Sequence, residues 1–256
     1  MALQTRPWPR DKASDSAPEL ALPPPYTAVR LRELGDAFAH AAAIAGARGA
    51  GTLVHVGRFD VAEFALVLEP EEPLRTARRA LYAGMAALTD ALIASSEPET
   101  MVEIAWPDAI VVNGGVVGGG RLAWPHGVGE DEVSPWLVFG AMVRVESTSG
   151  REPGTDPSVT TLAEEGFSSV MSHEIIESFA RHFMVAVDAW HESGFAAVAK
   201  TYFERFRREQ GLRRDIADNG DLLLRRMAGD AVEHKVLIEA LASPSWLDPA
   251  TRAPRA

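Results

Sequence analysis

Between Trp106 and Leu122 the chain reads Trp-Pro-Asp-Ala-Ile-Val-Val-Asn-Gly-Gly-Val-Val-Gly-Gly-Gly-Arg-Leu, a run that few backbone conformations accommodate. The β-branched stretch Ile110-Val111-Val112 leads into Asn113-Gly114-Gly115, and asparagine or glycine at positive φ is what a two-residue hairpin turn requires. Val116-Val117 follow, then three consecutive glycines. Glycine and β-branched residues both disfavour helix, so the segment predicts two antiparallel strands. The turn falls at Asn113-Gly114 or Gly114-Gly115. Gly118, Gly119 and Gly120 then allow another backbone or a ligand to approach closely.

The same glycines invite a phosphate-loop reading, which the spacing rejects. Gly115 and Gly120 stand at Walker separation, but Arg121-Leu122 replace the Lys-Ser/Thr that would hold phosphate and magnesium. No register yields G-x-G-x-x-G, so neither nucleotide loop is present. His173-Glu174-Ile175-Ile176-Glu177 lacks the second histidine of a zinc helix, and no metal site is predicted. His55 stands apart from the other histidines, in a strand-like run just before Gly57-Arg58, and a structural role is expected for it. There is no G-x-S-x-G elbow for a serine nucleophile.

Composition narrows the partners. The chain contains no cysteine, which excludes thiolate chemistry and disulfides. Its net charge of -11 provides no basic field for nucleic acid. No apolar run reaches the roughly 20 residues that span a bilayer, so a cytoplasmic location is expected. Only Lys12, Lys200 and Lys235 can serve a mechanism that needs a lysine.

Element order points to an α+β architecture. A polar, proline-rich tail covers residues 1–25. Helices are predicted at 33–48, 74–94 (long and amphipathic), 172–190 with Ser172 as N-cap, and 195–208. Strands are predicted at 52–56, 63–68, 102–105, 110–113, 116–124 and 136–145. A polar loop spans 147–158, one clear strand follows at 221–225, and the proline-marked end reads as a loose tail. The boundaries are a tail at 1–25, a main domain at 26–211, and a small C-terminal β appendage with tail at 212–256.

Trp106-Pro107-Asp108-Ala109 followed by the glycine turn resembles the Trp-Pro-Asn-Asp hairpin of the biotin/lipoate A/B protein ligase family. Gly51-Thr52-Leu53-Val54 is similar to the family's Gly-Thr strand, and Phe139-Gly140-Ala141-Met142-Val143 to its Val-x-Gly-x-Gly strand. Thr161-Leu162 resembles its Ala-Thr-Ser-Leu, and Trp190 to Gly194-Phe195 its late helix junction. Residues 216–224 resemble the opening of its small C-terminal barrel. A subgroup pattern, Asn-Gly-Gly through Gly-Gly-Gly-Arg-Leu with a Pro-Ser-Trp-Leu-Asp-Pro end, is also present. The resemblance implies a class II synthetase-like mixed sheet flanked by helices, with a small C-terminal β appendage.

It also implies a chemistry: ATP-dependent adenylation of biotin or lipoate, then transfer to a carrier-domain lysine. Trp106, Asp108, Asn113, Gly115, Gly118, Gly119 and His55 are the ligand-binding candidates. The family's hairpin lysine falls on Val116, its second acidic or amide position on Ala109, and its Gly-Arg-Gly-Arg-x-Gly loop is reduced to Gly57-Arg58. Arg58 and Arg121 are the candidates for the missing positive charge. Strand alternation separates residues 116 and 121 onto opposite faces unless a bulge intervenes. Two functions follow as expectations. One is an ATP-dependent ligase or acyltransferase acting on a small carboxylate and a carrier domain. The other is a catalytically degenerate ligase fold that binds a small carboxylate, a nucleotide or a protein partner.

Overall fold

The computed structural model of the chain describes residues 19–148, 156–167, 170–207, 211–226 and 231–255. Most of the expected tail at 1–25 and of the polar loop at 147–158 lie outside the described residues. Within the described part of that tail, Leu20 is buried and the Ala21 N–H donates to Glu177 at 2.8 Å.

Seven strands form the main sheet: β1 (Thr27–Leu31), β2 (Thr52–Val56), β3 (Val61–Leu68), β4 (Val102–Ala105), β5 (Ala109–Val112), β6 (Gly115–Ala123) and β7 (Leu137–Arg144). Their order is β1-β2-β3-β7-β6-β5-β4. Only β1 and β2 run parallel; the remaining pairs are antiparallel, which makes the sheet mixed as expected. The flanking helices are α1 (Ala37–Arg48), the short α2 (Leu74–Ala77), α3 (Ala80–Ile93), α4 (Ser172–Ser193) and α5 (Phe195–Arg205).

The two faces of the sheet are covered differently. On one lies α1, whose Ala37, Ala41 and Ala45 recur every four residues and meet Val54, Val56, Ala65 and Val67. On the other lie α3, α4 and α5, over Leu53, Phe64, Leu66, Phe139 and Val143. The sequence predicts one long amphipathic helix over 74–94, but the structure divides it into α2 and α3, and α3 is buried almost all round. The reason is that α4 and α5 cover the side turned away from the sheet. At its N-terminus α4 also departs from expectation. Met171 holds the cap position, its N–H donating to Glu174 at 2.8 Å, while the Ser172 hydroxyl donates to the Arg58 carbonyl.

Beyond α5 a second sheet forms from β8 (Leu212–Ile216), β9 (Leu222–Arg226) and β10 (Val232–Lys235), in the order β10-β9-β8, followed by α6 (Leu237–Leu241). This is the small C-terminal β appendage. The sequence pattern reveals only its middle strand, because β8 and β10 are short and rich in charged, half-exposed residues. The final segment is not a loose tail. Trp246 is 1% exposed, and Leu247 bridges Pro254.

Candidate functional site

The glycine hairpin turns at Asn113-Gly114, with φ of 48° and 97°. These are the conformations a tight, twist-matched hairpin turn demands. Ala109 then faces Gly119 and Ile110 faces Gly118, but Val111 faces Val116, so Val117 is one residue too many for the partner strand. That bulge resets the alternation. Val117 packs in the helix-side core, and a side chain at Gly120 would point toward Met85 and Phe139 of that core. Val116, Gly119 and Arg121 consequently share the α1 side of the sheet. The bulge brings together two positions that simple alternation separates.

That side is filled by the chain itself. A Cβ at Gly119 would lie 2.5 Å from the Trp246 indole and 2.0 Å from the Asp108 carbonyl oxygen, so only glycine fits beneath the ring. The Trp246 indole N–H donates to the Gly120 carbonyl at 3.1 Å. Val61, Ala109 and Met142 complete the apolar nest, with Val116 and Leu247 packed at its margin. Gly140 keeps one glycine of its strand pattern and admits the Phe38 ring, to which a Cβ there would come within 2.4 Å. Two residues on, where that pattern has its next glycine, Met142 projects into the nest instead.

Charged groups border this nest. Glu63 on β3 is buried and accepts the Ala37 N–H at the start of α1, at 2.9 Å. Burial raises its pKa, and the Ala37 N–H, Arg58 and Arg121 all oppose that rise. Arg58 grips Asp60 at 2.9 and 2.6 Å, and this pairing holds the Asp60 carboxyl below its usual range. The Arg121 guanidinium lies 4.1 Å from the Phe38 ring centroid and 3.6 Å from Asp36. Its Nε is buried without a partner. Asp36 also caps α1 through the Ala39 N–H at 2.8 Å and binds Arg252 at 2.6 Å. Both candidate cations thus flank Glu63, and each already faces a carboxylate of its own chain.

Asp108, on the edge of the nest, is fully buried, and neither of its carboxylate oxygens has a hydrogen-bond partner. Burial pushes its pKa up to about 7, tempered by its own backbone N–H and the nearby Trp246 indole. The remaining sequence candidates lie elsewhere. Trp106 donates from its indole to the Tyr82 hydroxyl at 3.1 Å, among the helices. His55 is buried on β2, its pKa pushed down to about 4 by burial and by Arg30. Asn113 is engaged at the hairpin tip, accepting from the Met101 N–H at 3.0 Å and donating to Glu165 at 2.7 Å. Gly115 makes room for Thr160, and Gly118, at φ 155°, passes against the Met142 carbonyl.

Trp246, Met142, Asp36 and Glu63 escape sequence reasoning. For Trp246 the single available signal is the Pro-Ser-Trp-Leu-Asp-Pro end. For Asp36 and Glu63 there is none, since their role depends on how α1 docks on β3. Of the described lysines, Lys200 is exposed on α5 and Lys235 pairs with Glu233 at 3.7 Å on the small sheet. Among the described residues no group of three or more acidic or histidine side chains could hold a metal ion. No described helix is long and apolar enough to cross a membrane.

Comparison with known proteins agrees with the fold. The profile of the biotin/lipoate A/B protein ligase family matches residues 22–204. A biotin–[acetyl-CoA-carboxylase] ligase of Paracoccus denitrificans is 27% identical over 201 residues, covering 73% of this chain and 82% of that protein. A biotin protein ligase-like protein of unknown function from a Silicibacter species superposes with a TM-score of 0.75 at 26% identity, over 87% of this chain and 99% of that one. The biotin protein ligase of Aquifex aeolicus, in its apo form, shares the fold with a TM-score of 0.63 at 14% identity, over 83% of this chain and 96% of that one.

Proposed function

The chain belongs to the biotin/lipoate A/B protein ligase family, and we propose that this member has given up cofactor adenylation and serves as a binding or accessory protein on the ligase scaffold. One observation carries this reading. Trp246 and Met142 fill the face on which Val116, Gly119 and Arg121 converge. The chemistry supports it too. Joining a carboxylate to AMP concentrates negative charge, and preorganised donors aimed at such charge are usually the largest catalytic contribution. Losing one typically lowers the rate by about two to three orders of magnitude. Here the hairpin lysine is Val116, and the arginine loop is reduced to Gly57-Arg58. Arg58 and Arg121 are bound by Asp60 and Asp36 rather than left free for a ligand.

In this reading the protein acts in the cytoplasm and meets a small carboxylate, a nucleotide, or a carrier or other protein partner. Pyrophosphate exchange with ATP and biotin, lipoate or octanoate tests it. The expected result is no exchange above the cofactor-free blank, and clear exchange with any of the three overturns it. Because side-chain bulk as well as missing charge closes the face, Val116→Lys alone leaves exchange absent.

The ligase reading, with ATP and biotin or lipoate as cofactors and a carrier lysine as acceptor, draws on one observation. Arg58 and Arg121 both act electrostatically on the same carboxylate, Glu63. If that reading holds, exchange is present in the parent chain and lost in Arg121→Ala.

A further inference from the structure

The opposite side of the sheet holds a cleft of about 520 Å³, between β3, the start of α3 and the second half of α4. This is within the size range of small-molecule sites, which are chiefly apolar with a few polar groups. Its floor is Leu66 and Leu68, and its far wall is Phe183, Val187 and Trp190. The opening exists because Ala80 and Ala83 stand where α3 faces those large side chains, and a methyl group cannot fill the gap.

The rim is acidic. Glu69, Glu71, Glu72 and Asp188 all border the cleft. Glu72 is paired with Arg79 at 3.0 Å, but among the described residues no ion pair engages Glu69, Glu71 or Asp188. Tyr26 lines the same mouth, and burial together with the Asp188 carboxylate pushes its phenol up to about 12. It therefore stays an uncharged hydroxyl at neutral pH. An anion entering here meets three unpaired carboxylates, whereas a cation meets charge complementarity above an apolar floor.

We infer that this cleft is a binding site for an amphipathic amine, its apolar body seated between β3 and α4 and its protonated nitrogen held at the rim by Glu69 and Asp188. The site does not depend on whether the other face adenylates a cofactor, and none of its residues belongs to that face.

Three probes that share a naphthyl body and differ in charge test the inference on the full chain by isothermal titration calorimetry at low salt. They are 1-naphthylmethylamine, 1-naphthylmethanol and 1-naphthoate. The amine should bind roughly tenfold more tightly than the alcohol, the scale of one to two partly exposed ion pairs, and the advantage should shrink as salt is added. The double substitution Glu69→Gln and Asp188→Asn should bring the amine down to the alcohol's affinity while leaving the alcohol unchanged. Val187→Trp, at a half-buried position that tolerates bulk, should abolish binding of both while the melting transition is retained. The inference is overturned if naphthoate binds as well as the amine, if Val187→Trp leaves binding intact, or if no probe binds. It is also overturned if the amine binds only once Trp8→Ala is introduced. That result would assign the cleft to the tryptophan-bearing N-terminal segment of the chain itself.

Discussion

On each face of the central sheet small residues hold back from their neighbours, yet the spaces they leave meet different fates. On the α1 side, Gly119 and Gly140 receive the Trp246 indole and the Phe38 ring, and the face is closed. On the helix side, Ala80 and Ala83 line a cleft that persists. A small residue creates only the opportunity for a site. Whether a ligand can use it depends on what the rest of the chain sends there. The filled side is the one that carries Val116, Gly119 and Arg121.

The sharpest way to break that contrast is to remove a tryptophan from each face. Trp246→Ala deletes a fully buried ring and should lower unfolding stability by about 3–5 kcal/mol in urea titrations. Trp190→Ala, at the wall of the open cleft and half-buried, should lower it by about 1 kcal/mol. Equal losses would mean that the two faces are packed alike.

A second pair sharpens the comparison within the hairpin. At Gly118 positive φ combines with a methyl position 2.0 Å from the Met142 carbonyl oxygen, a backbone atom that cannot step aside. Gly118→Ala should therefore cost about 3 kcal/mol. Gly114 also has positive φ, but nothing lies within 4 Å, so Gly114→Ala should cost only about 1 kcal/mol. Thermal unfolding of the two variants reports the difference directly.

Titration separates the buried groups by opposite signs. Asp108 has a folded pKa of about 7 against an ordinary 3.8, so between those values the folded chain holds a proton that the unfolded chain releases. Stability from Asp108 is present at low pH and is lost as pH rises toward 7. His55 has a folded pKa of about 4 against 6.5, so the unfolded chain holds the extra proton and stability grows as pH rises between them. The two trends oppose each other in the parent chain. Asp108→Asn should expose the His55 rise, and His55→Gln the Asp108 fall, each on the order of a few kcal/mol. Denaturant midpoints measured from pH 4 to 8 would show it. If both variants keep the parent profile, these groups are not the ones that set it.

The smallest effect concerns the border of the sealed face. Asp36→Ala removes the α1 cap and a carboxylate shared by Arg121 and Arg252, and it should cost about 1 kcal/mol in urea titration.

Much of the scaffold was legible because its signals are local. Asn113-Gly114 dictated a turn, β-branched runs dictated β2, β3, β5 and β7, and the alanine stripe marked α1. The site was less legible because its determinants are not local. Trp246 meets Gly119 across more than a hundred residues, and no periodicity in the final segment announces that contact. The tryptophan sits instead among prolines that read as a tail. Glu63 belongs to a run that reads as a buried strand, and its partner N–H exists only once Asp36 has started α1 beside it. β8 and β10 were missed because short charged strands at an exposed sheet lack the apolar alternation that betrays strands elsewhere.

Val117 illustrates how counting, as distinct from chemistry, can govern a surface. The bulge absorbs that one extra position, so the residues of β6 beyond it keep the faces of a regular ladder counted without Val117. Deleting Val117 would change no charge, introduce no new side chain and remove the bulge: Val116 and Gly118 would become neighbours in a regular ladder, and Arg121 would keep the α1 side. Point substitutions here can be graded by size and polarity. At this one point the hairpin can lose a residue without reorienting the strand beyond it, whereas Gly118 and Gly119 cannot change in kind without meeting backbone.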